Sequence, residues 1–532
     1  MDIDWDNQDK FKCIICMNFF TKPVIASDGK VYCEECIIQW TSNNSFSPFN
    51  GQKVTNWIEC SLFNDLYLVS CIYSDLNLVK LVDNHTFHCY NTNDAYKILK
   101  MIDAENIRRL NEDDKNIIVM KNVFSNNRLI KQILSFINDA WSGNTGWTIV
   151  HYICRFGDIE LIRHMLTHYN INLNIKTSHY RWYPIQFICG DGNTLYSTDQ
   201  LNAIELLIDH KADLNINAQD TPIPIHLVCS DENNLNSHDQ VSAIKLLIEH
   251  KVDLEVSEFE KWRPIHFVCS DSNNLESQDQ LAAIKLLIEH KVDLEVSESE
   301  NWRPMHFVCS DSNKLKSYDQ LFAIKLLIDN KVDLEVSEIE SWRPIHFICS
   351  DSNNLESHDQ LAAIKLLIDN KVNLEVSDID KFRPIHYVCS EQNNLDSTSQ
   401  FTAIKLMIEQ KINLDVTNDN DWKPIHYVCS DLNKLNSTDK LCTIKLLSKQ
   451  KINLDAENDE DMRPIHFLCS SNVLVLADQL EAIKILIEHE VDLSAKAKCG
   501  KTPCQMIIDE KNKLSPENKL KIIQLIMDNI KV

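Results

Sequence analysis

A string close to Arg-Pro-Ile-His-Phe-Val-Cys-Ser returns every 40 residues, with its proline at Pro184, Pro224, Pro264, Pro304, Pro344, Pro384, Pro424 and Pro464. Such a period constrains the fold more than any bulk property. A unit this short cannot bury a core alone and must stack on its neighbours. Diverged copies flank the series, Thr148 to Tyr152 before it and Thr502 to Cys504 after it, which makes ten units across residues 141–532. In the unit around Pro264, proline suits the first turn of a helix, where its missing N–H has no helical partner. Ile265, Val268 and Cys269 follow at helical spacing, and Asp271 to Asn274 are turn residues. Ser277 and Gln280 have the spacing of a capping box, predicting the start of a second helix. Leu281, Ile284, Leu287 and Ile288 form its apolar face. An acidic loop, 297–301, leads to the next unit.

This unit resembles the ankyrin repeat. The family's T-P-L-H-x-A corresponds to Arg263-Pro264-Ile265-His266-Phe267-Val268, and its later V-K-L-L-L…G-A-D-V-N to the stretch from Ile284 to Glu295. The family period is about 33, and the additional residues fall between the two helices. The resemblance implies a mostly α fold, an α-solenoid whose surface binds proteins. Arrays with such wide loops are also similar to those of giant viruses and protists, which would make a host protein the substrate and host cytoplasm the location.

Periodic residues invite chemical readings. His226, His266, His306, His346, His386, His426 and His466 each stand three before a cysteine. Zinc takes about four ligands at one point, whereas each unit offers two and stacked helices lie about 8–10 Å apart. Hydrogen bonding of the histidine to loop backbone and core packing of the cysteine are therefore expected. The same spacing excludes a disulfide ladder. Trp262, Trp302, Trp342, Phe382 and Trp422 recur at the loop-to-helix junction. They form either a substrate-binding stripe or packing between loops. The adjacent Arg263, Arg303, Arg343 and Arg383 are expected to pair with the acidic loops, each pair weakly.

Charge narrows the partners. A formal net charge of -25 opposes a phosphate-tracking nucleic-acid binder and a polybasic membrane anchor. The start, Met1 to Asp6, is acidic and lacks the pattern of a signal peptide, and no apolar run reaches membrane-spanning length. An intracellular protein is expected, its 19 cysteines thiols or metal ligands.

Beyond an acidic tail, 1–10, the first 75 residues depart from the repeat. Cys13-x-x-Cys16 is followed, sixteen residues later, by Cys33-x-x-Cys36. Two such pairs turn four thiolates toward one point, as tetrahedral zinc requires. Around them stand Lys22-Pro23-Val24-Ile25, Gly29, Tyr32, a helix ending at Trp40, and Ser47-Pro48-Phe49-Asn50-Gly51. Residues 11–75 resemble the U-box, an α+β relative of the RING finger found in ubiquitin ligases. The resemblance maps a RING's first zinc site onto Cys13, Cys16, Cys33 and Cys36, all present. It maps the second onto Asp28, Lys30, Ser47 and Asn50, a polar cluster in place of metal. It implies one zinc ion at most. It also implies that Ile15, Trp40 and Pro48 dock a ubiquitin-conjugating enzyme, with no catalytic nucleophile. Many active members carry an arginine where Gly51 stands. A further helix is expected over 62–71, and residues 76–140 read as a helical spacer or degenerate repeat. The function implied is a ubiquitin-protein ligase whose repeat array holds the substrate; the rival is a non-enzymatic adaptor with a decayed U-box.

Overall fold

The computed structural model describes residues 13–17, 23–28, 30–59, 99, 130–131, 133–134, 146–178, 181–216 and 222–530. The acidic tail, the helix expected over 62–71 and nearly all of 76–140 lie outside these residues. By its contacts the chain divides into two compact units, residues 1–252 and 253–532.

The first unit contains a small α+β module. Strands β1 (Pro23–Ala26) and β2 (Val31–Cys33) form an antiparallel hairpin with Val24 opposite Tyr32, and β3 (Trp57–Glu59) pairs on the other edge of β1. Helix α1 (Glu34–Asn43) leaves β2 directly, with Glu34 and Glu35 in its first turn, where carboxylates offset the helix dipole. Cys13, Val24, Ala26, Tyr32, Cys33, Ile37 and Val54 form the core.

Among the described residues three helix pairs also belong to this unit: Ile149–Phe156 with Ile159–His168, Pro184–Cys189 with Ser197–Asp209, and Pro224–Cys229 with Ser237–Glu249. The second unit holds seven, from Pro264–Cys269 with Ser277–Glu289 to Pro503–Ile508 with Pro516–Met527. The helix-opening prolines occupy the first turn, as their lost N–H dictates. In the first pair only Gly157 and Asp158 separate the helices. From Pro184 to Pro424 seven residues do so, and the five beyond that turn are the insertion that lengthens these units relative to the first pair. The insertion is ordered by its asparagine. In the Pro304 unit, Asn313 Nδ2 donates to the carbonyls of Phe307 and Ser310, and its Oδ1 accepts from Leu315 N.

The capping box expected at Ser277 and Gln280 is not formed. Ser277 Oγ instead donates to Asp319 of the next unit (2.5 Å) and accepts from Lys316 N (2.8 Å). Gln280 Nε2 donates to the carbonyls of Val268 and Ser270, and its Oε1 accepts from Lys314 N of the next unit (3.0 Å). Both side chains thus join units. A buried amide left without these partners would cost about 1–3 kcal/mol.

The periodic histidines behave as their spacing implied. His346 Nδ1 accepts from Arg343 N (3.0 Å) and its Nε2 donates to Val376 O (3.3 Å), and the pattern repeats at His306, His386 and His426. Cys269, Cys309, Cys349, Cys389 and Cys429 are fully buried, and burial pushes their thiols far above the ordinary range. Arg343 pairs with Glu335 at 2.6 Å, and Arg263, Arg303 and Arg383 pair likewise with Glu255, Glu295 and Glu375.

Two replacements expose the logic of the buried positions. Asp378 accepts from Tyr387 Oη, and Asn418 Nδ2 donates to Tyr427 Oη (3.1 Å). One unit on, Asn458 is equally buried, but Phe467 has no hydroxyl and Asn458 Nδ2 has no partner among the described residues. Phe467→Tyr is therefore expected to raise stability by about 1 kcal/mol. Chemical denaturation of the full chain would check this, since an unchanged midpoint would show that the amide is already satisfied.

Candidate functional site

Four sulfurs converge where the loop from Cys13 to Met17 meets β2 and the start of α1. The Sγ atoms of Cys13, Cys16, Cys33 and Cys36 all lie within 4.8 Å of one another, with Cys16 and Cys33 at 4.0 Å. Among the described residues this is the one such group of potential metal ligands. All four are free thiols. A tetrahedral ion with metal–sulfur bonds of about 2.3 Å would space its sulfurs about 3.8 Å apart, so the set fits a metal with small adjustment. Cys13 and Cys33 are buried, while Cys16 and Cys36 are half-buried. The thiols influence one another. A hydrogen bond from the Cys33 thiol holds Cys13 down at about 4, whereas burial and the neighbouring Cys16 push Cys36 up to about 12. The pocket thus tolerates a thiolate at Cys13 and resists one at Cys36, as expected of anions gathered close together.

The second position is a polar cluster, but its members differ from those expected. Tyr32 is the hub. Its hydroxyl donates to Asp28 Oδ2 (2.6 Å) and lies 3.1 Å from Ser47 Oγ. Burial, reinforced by the Asp28 carboxylate, raises Tyr32 to about 12. Burial acts against the Asp28 carboxylate, yet hydrogen bonds from Ser47, Tyr32 and Lys30 N leave it below its ordinary value. Lys30 contributes that backbone N–H (3.0 Å), while its ammonium sits 4.1 Å over the Phe49 ring. Ser47 Oγ accepts from Phe49 N and Asn50 N, and Asn50 turns outward to Gln52. The cluster therefore ties the loop 45–50 to the sheet, and Tyr32 supplies the link that a metal would otherwise make.

Beside the sulfurs runs an open groove of about 290 Å³ lined by Ile15, Cys36, Gln39, Trp40, Asn43 and Asn44. Its helical side follows the spacing i, i+3, i+4, i+7 along α1, a signal the sequence contained. Ile15 and Trp40, both half-buried, are brought together here. Trp40 Nε1 donates to Phe46 O (2.9 Å), which anchors the ring to the second loop. Pro48 is half-buried in that loop and does not line the groove. Exposed Ile14, Ile38, Phe46 and Phe49 give the module further apolar surface. Gly51 has φ +68°, and a Cβ built there would meet nothing within 4 Å.

In the array, Trp262, Trp302, Trp342, Phe382 and Trp422 are half-buried. Trp302 packs on Phe307 of its own unit (5.0 Å between ring centres) and Phe347 of the next (5.3 Å), and the others repeat this arrangement. These rings therefore spend much of their surface joining units.

Comparison with known families agrees with this geometry. The family model of the U-box domain matches residues 8–58, and that of the ankyrin repeat matches residues 145–175. The ankyrin match falls on the helix pair whose two-residue turn carries no insertion. No curated protein matches the chain. Among the described residues no helix is long and apolar enough to cross a membrane.

Proposed function

We propose that this chain, which joins a U-box domain to ankyrin repeats, is a ubiquitin-protein ligase that works by positioning. The groove shared by Ile15 and Trp40 is the observation that carries the reading. A conjugating enzyme docks there and on the neighbouring loop of Pro48, presenting its ubiquitin thioester. The module supplies no nucleophile. Its contribution is orientation, which converts an encounter into an effectively intramolecular step. The repeats hold a protein substrate on the same chain, raising its local concentration; the half-buried edges of Trp262, Trp302, Trp342, Phe382 and Trp422 are candidate contacts. Titrating the full chain against a panel of conjugating enzymes tests docking. At least one should bind, and Ile15→Ala should weaken it about tenfold. Failure of every enzyme to bind would remove the reading.

One zinc ion at Cys13, Cys16, Cys33 and Cys36 belongs to the same proposal. Bound there, it would crosslink the Ile15 loop to the start of α1, so the four cysteines serve to hold the groove's two walls in register. Elemental analysis of the full chain is expected to give about one zinc, falling to near none in Cys16→Ser/Cys36→Ser. A stoichiometry near zero in the native protein would refute the metal site and leave four thiols in a small core.

Gly51 favours a second reading, a non-enzymatic adaptor that docks through its repeats. In the U-box resemblance an arginine at this position holds the loaded enzyme closed, and glycine supplies no such group.

A further inference from the structure

Three consecutive loops of the second unit, 253–264, 293–304 and 333–344, are identical in sequence except at two positions each: Phe259 and Lys261, Ser299 and Asn301, Ile339 and Ser341. The constant residues are those that build the frame. The varied ones sit at the loop tip, where Ser299, Asn301, Ile339 and Ser341 are exposed. The frame fixes each tip from below. Glu338, itself buried, accepts from Glu340 N and Trp342 N. Neighbouring tips are also joined through backbone, with Ile339 N donating to Glu300 O and Ile379 N to Glu340 O, both at 3.2 Å. The tips therefore form a rigid ridge along which side chains vary over an unchanging support.

Two adjacent tips present isoleucine, Ile339 at 66% exposure and Ile379 at 64%. Exposed Glu300, Glu340 and Asp380 flank them, and none forms an ion pair among the described residues. The first helices cannot offer an alternative apolar surface here: every residue of Pro304–Cys309 and Pro344–Cys349 is buried.

We propose that this ridge, centred on Ile339 and Ile379, is a docking surface for an extended basic segment of a partner protein, with apolar side chains at every third position. The proposal rests on the substrate-holding role above and names the substrate class. Complementary charge selects the basic residues. Stacked helices repeat at about 8–10 Å, and tips carried by successive units follow that repeat, which brackets the roughly 9 Å that three residues span in a polyproline II segment, whose threefold repeat returns them to the same side.

The probe is a short synthetic peptide repeating Leu-Lys-Lys, titrated against the full chain without any conjugating enzyme, so the result stands apart from ligase activity. Binding is expected, weakened at least tenfold by Ile339→Ser/Ile379→Ser and by Glu340→Lys. A Ser-Lys-Lys peptide is expected to bind at least tenfold more weakly. These positions are exposed, so the melting transition should be unchanged, which verifies folding. Equal binding of the two peptides would mean attraction by charge alone and would overturn the site, as would wild-type affinity in the double isoleucine variant.

Discussion

Lowering the pH from about 6.5 to about 4 is expected to unfold much of the repeat array. His306, His346, His386 and His426 are wholly buried, and desolvation holds each at about 4, against an ordinary value of 6.5. Each accepts a backbone N–H at Nδ1 and donates at Nε2, so the native ring is neutral. The nearby Arg303, Arg343, Arg383 and Lys423 oppose its protonation, and of these four rings His306 is the one that Glu298 assists. In the unfolded chain the same rings take up protons below about pH 6.5. Between the two values the unfolded state binds more protons, so stability falls as the pH falls. A displacement of this size corresponds to roughly 3 kcal/mol per histidine at the acid end. Summed over consecutive interfaces, that exceeds what stacked units can lose while remaining folded.

The chain supplies its own control. At the position equivalent to His226 and its successors, Gln186 accepts from Tyr183 N through Oε1 and donates to Pro222 O through Nε2, both at 2.7 Å. An amide therefore makes both hydrogen bonds without a proton to gain. His306→Gln, His346→Gln and His386→Gln combined should leave neutral-pH stability nearly unchanged and move the acid midpoint to lower pH. Circular dichroism across a pH series reads both effects. An acid midpoint identical to wild type would mean that other groups drive the transition.

Much of this architecture was legible in the residues because its causes are local or periodic. Proline in a first turn, alternating helices and a buried cysteine one turn on follow from neighbours in sequence. The arginines are expected on the acidic loop 297–301 and its equivalents, whereas Arg303 pairs with Glu295, just before that loop, where the chain returns beside its own start. What escaped were partners set by stacking. Ser277 and Gln280 have the spacing of a local cap, yet their hydrogen bonds go to Asp319 and Lys314, residues that only the superposition of units brings near. Competition between a cap and an inter-unit bond cannot be resolved from one unit. The candidate site divides in the same way. The four cysteines announce themselves by spacing. Tyr32 as hub does not, because its role depends on β1–β2 register bringing Asp28 and the loop of Ser47 to the same hydroxyl. Lys30 illustrates the converse: the U-box resemblance places it in the polar cluster with Asp28, but it joins that cluster only through its backbone N–H, and its ammonium finds an aromatic face instead.

The largest functional effect is expected at Trp40. Its ring lines the groove, and its indole N–H tethers the second loop through Phe46 O, so one truncation removes apolar contact surface and the alignment of two loops. Anchoring aromatics of this kind commonly carry 2 kcal/mol or more of binding, and positioning catalysis magnifies small misalignments. Ile15→Ala removes surface without touching that tether and should be milder. Because Trp40 is only half-buried and outside the core of Tyr32, Cys33 and Ile37, the module should stay folded without it, which an unchanged circular dichroism spectrum and melting transition would verify.

The decisive measurement is single-turnover release of ubiquitin from a pre-charged conjugating enzyme that binds the full chain, followed with wild-type protein and with Trp40→Ala. Wild-type chain should accelerate discharge at least tenfold over the charged enzyme alone, and the variant should abolish nearly all of that gain. Discharge at the uncatalysed rate with wild type, or acceleration that survives loss of the indole, would contradict a ligase acting through this groove.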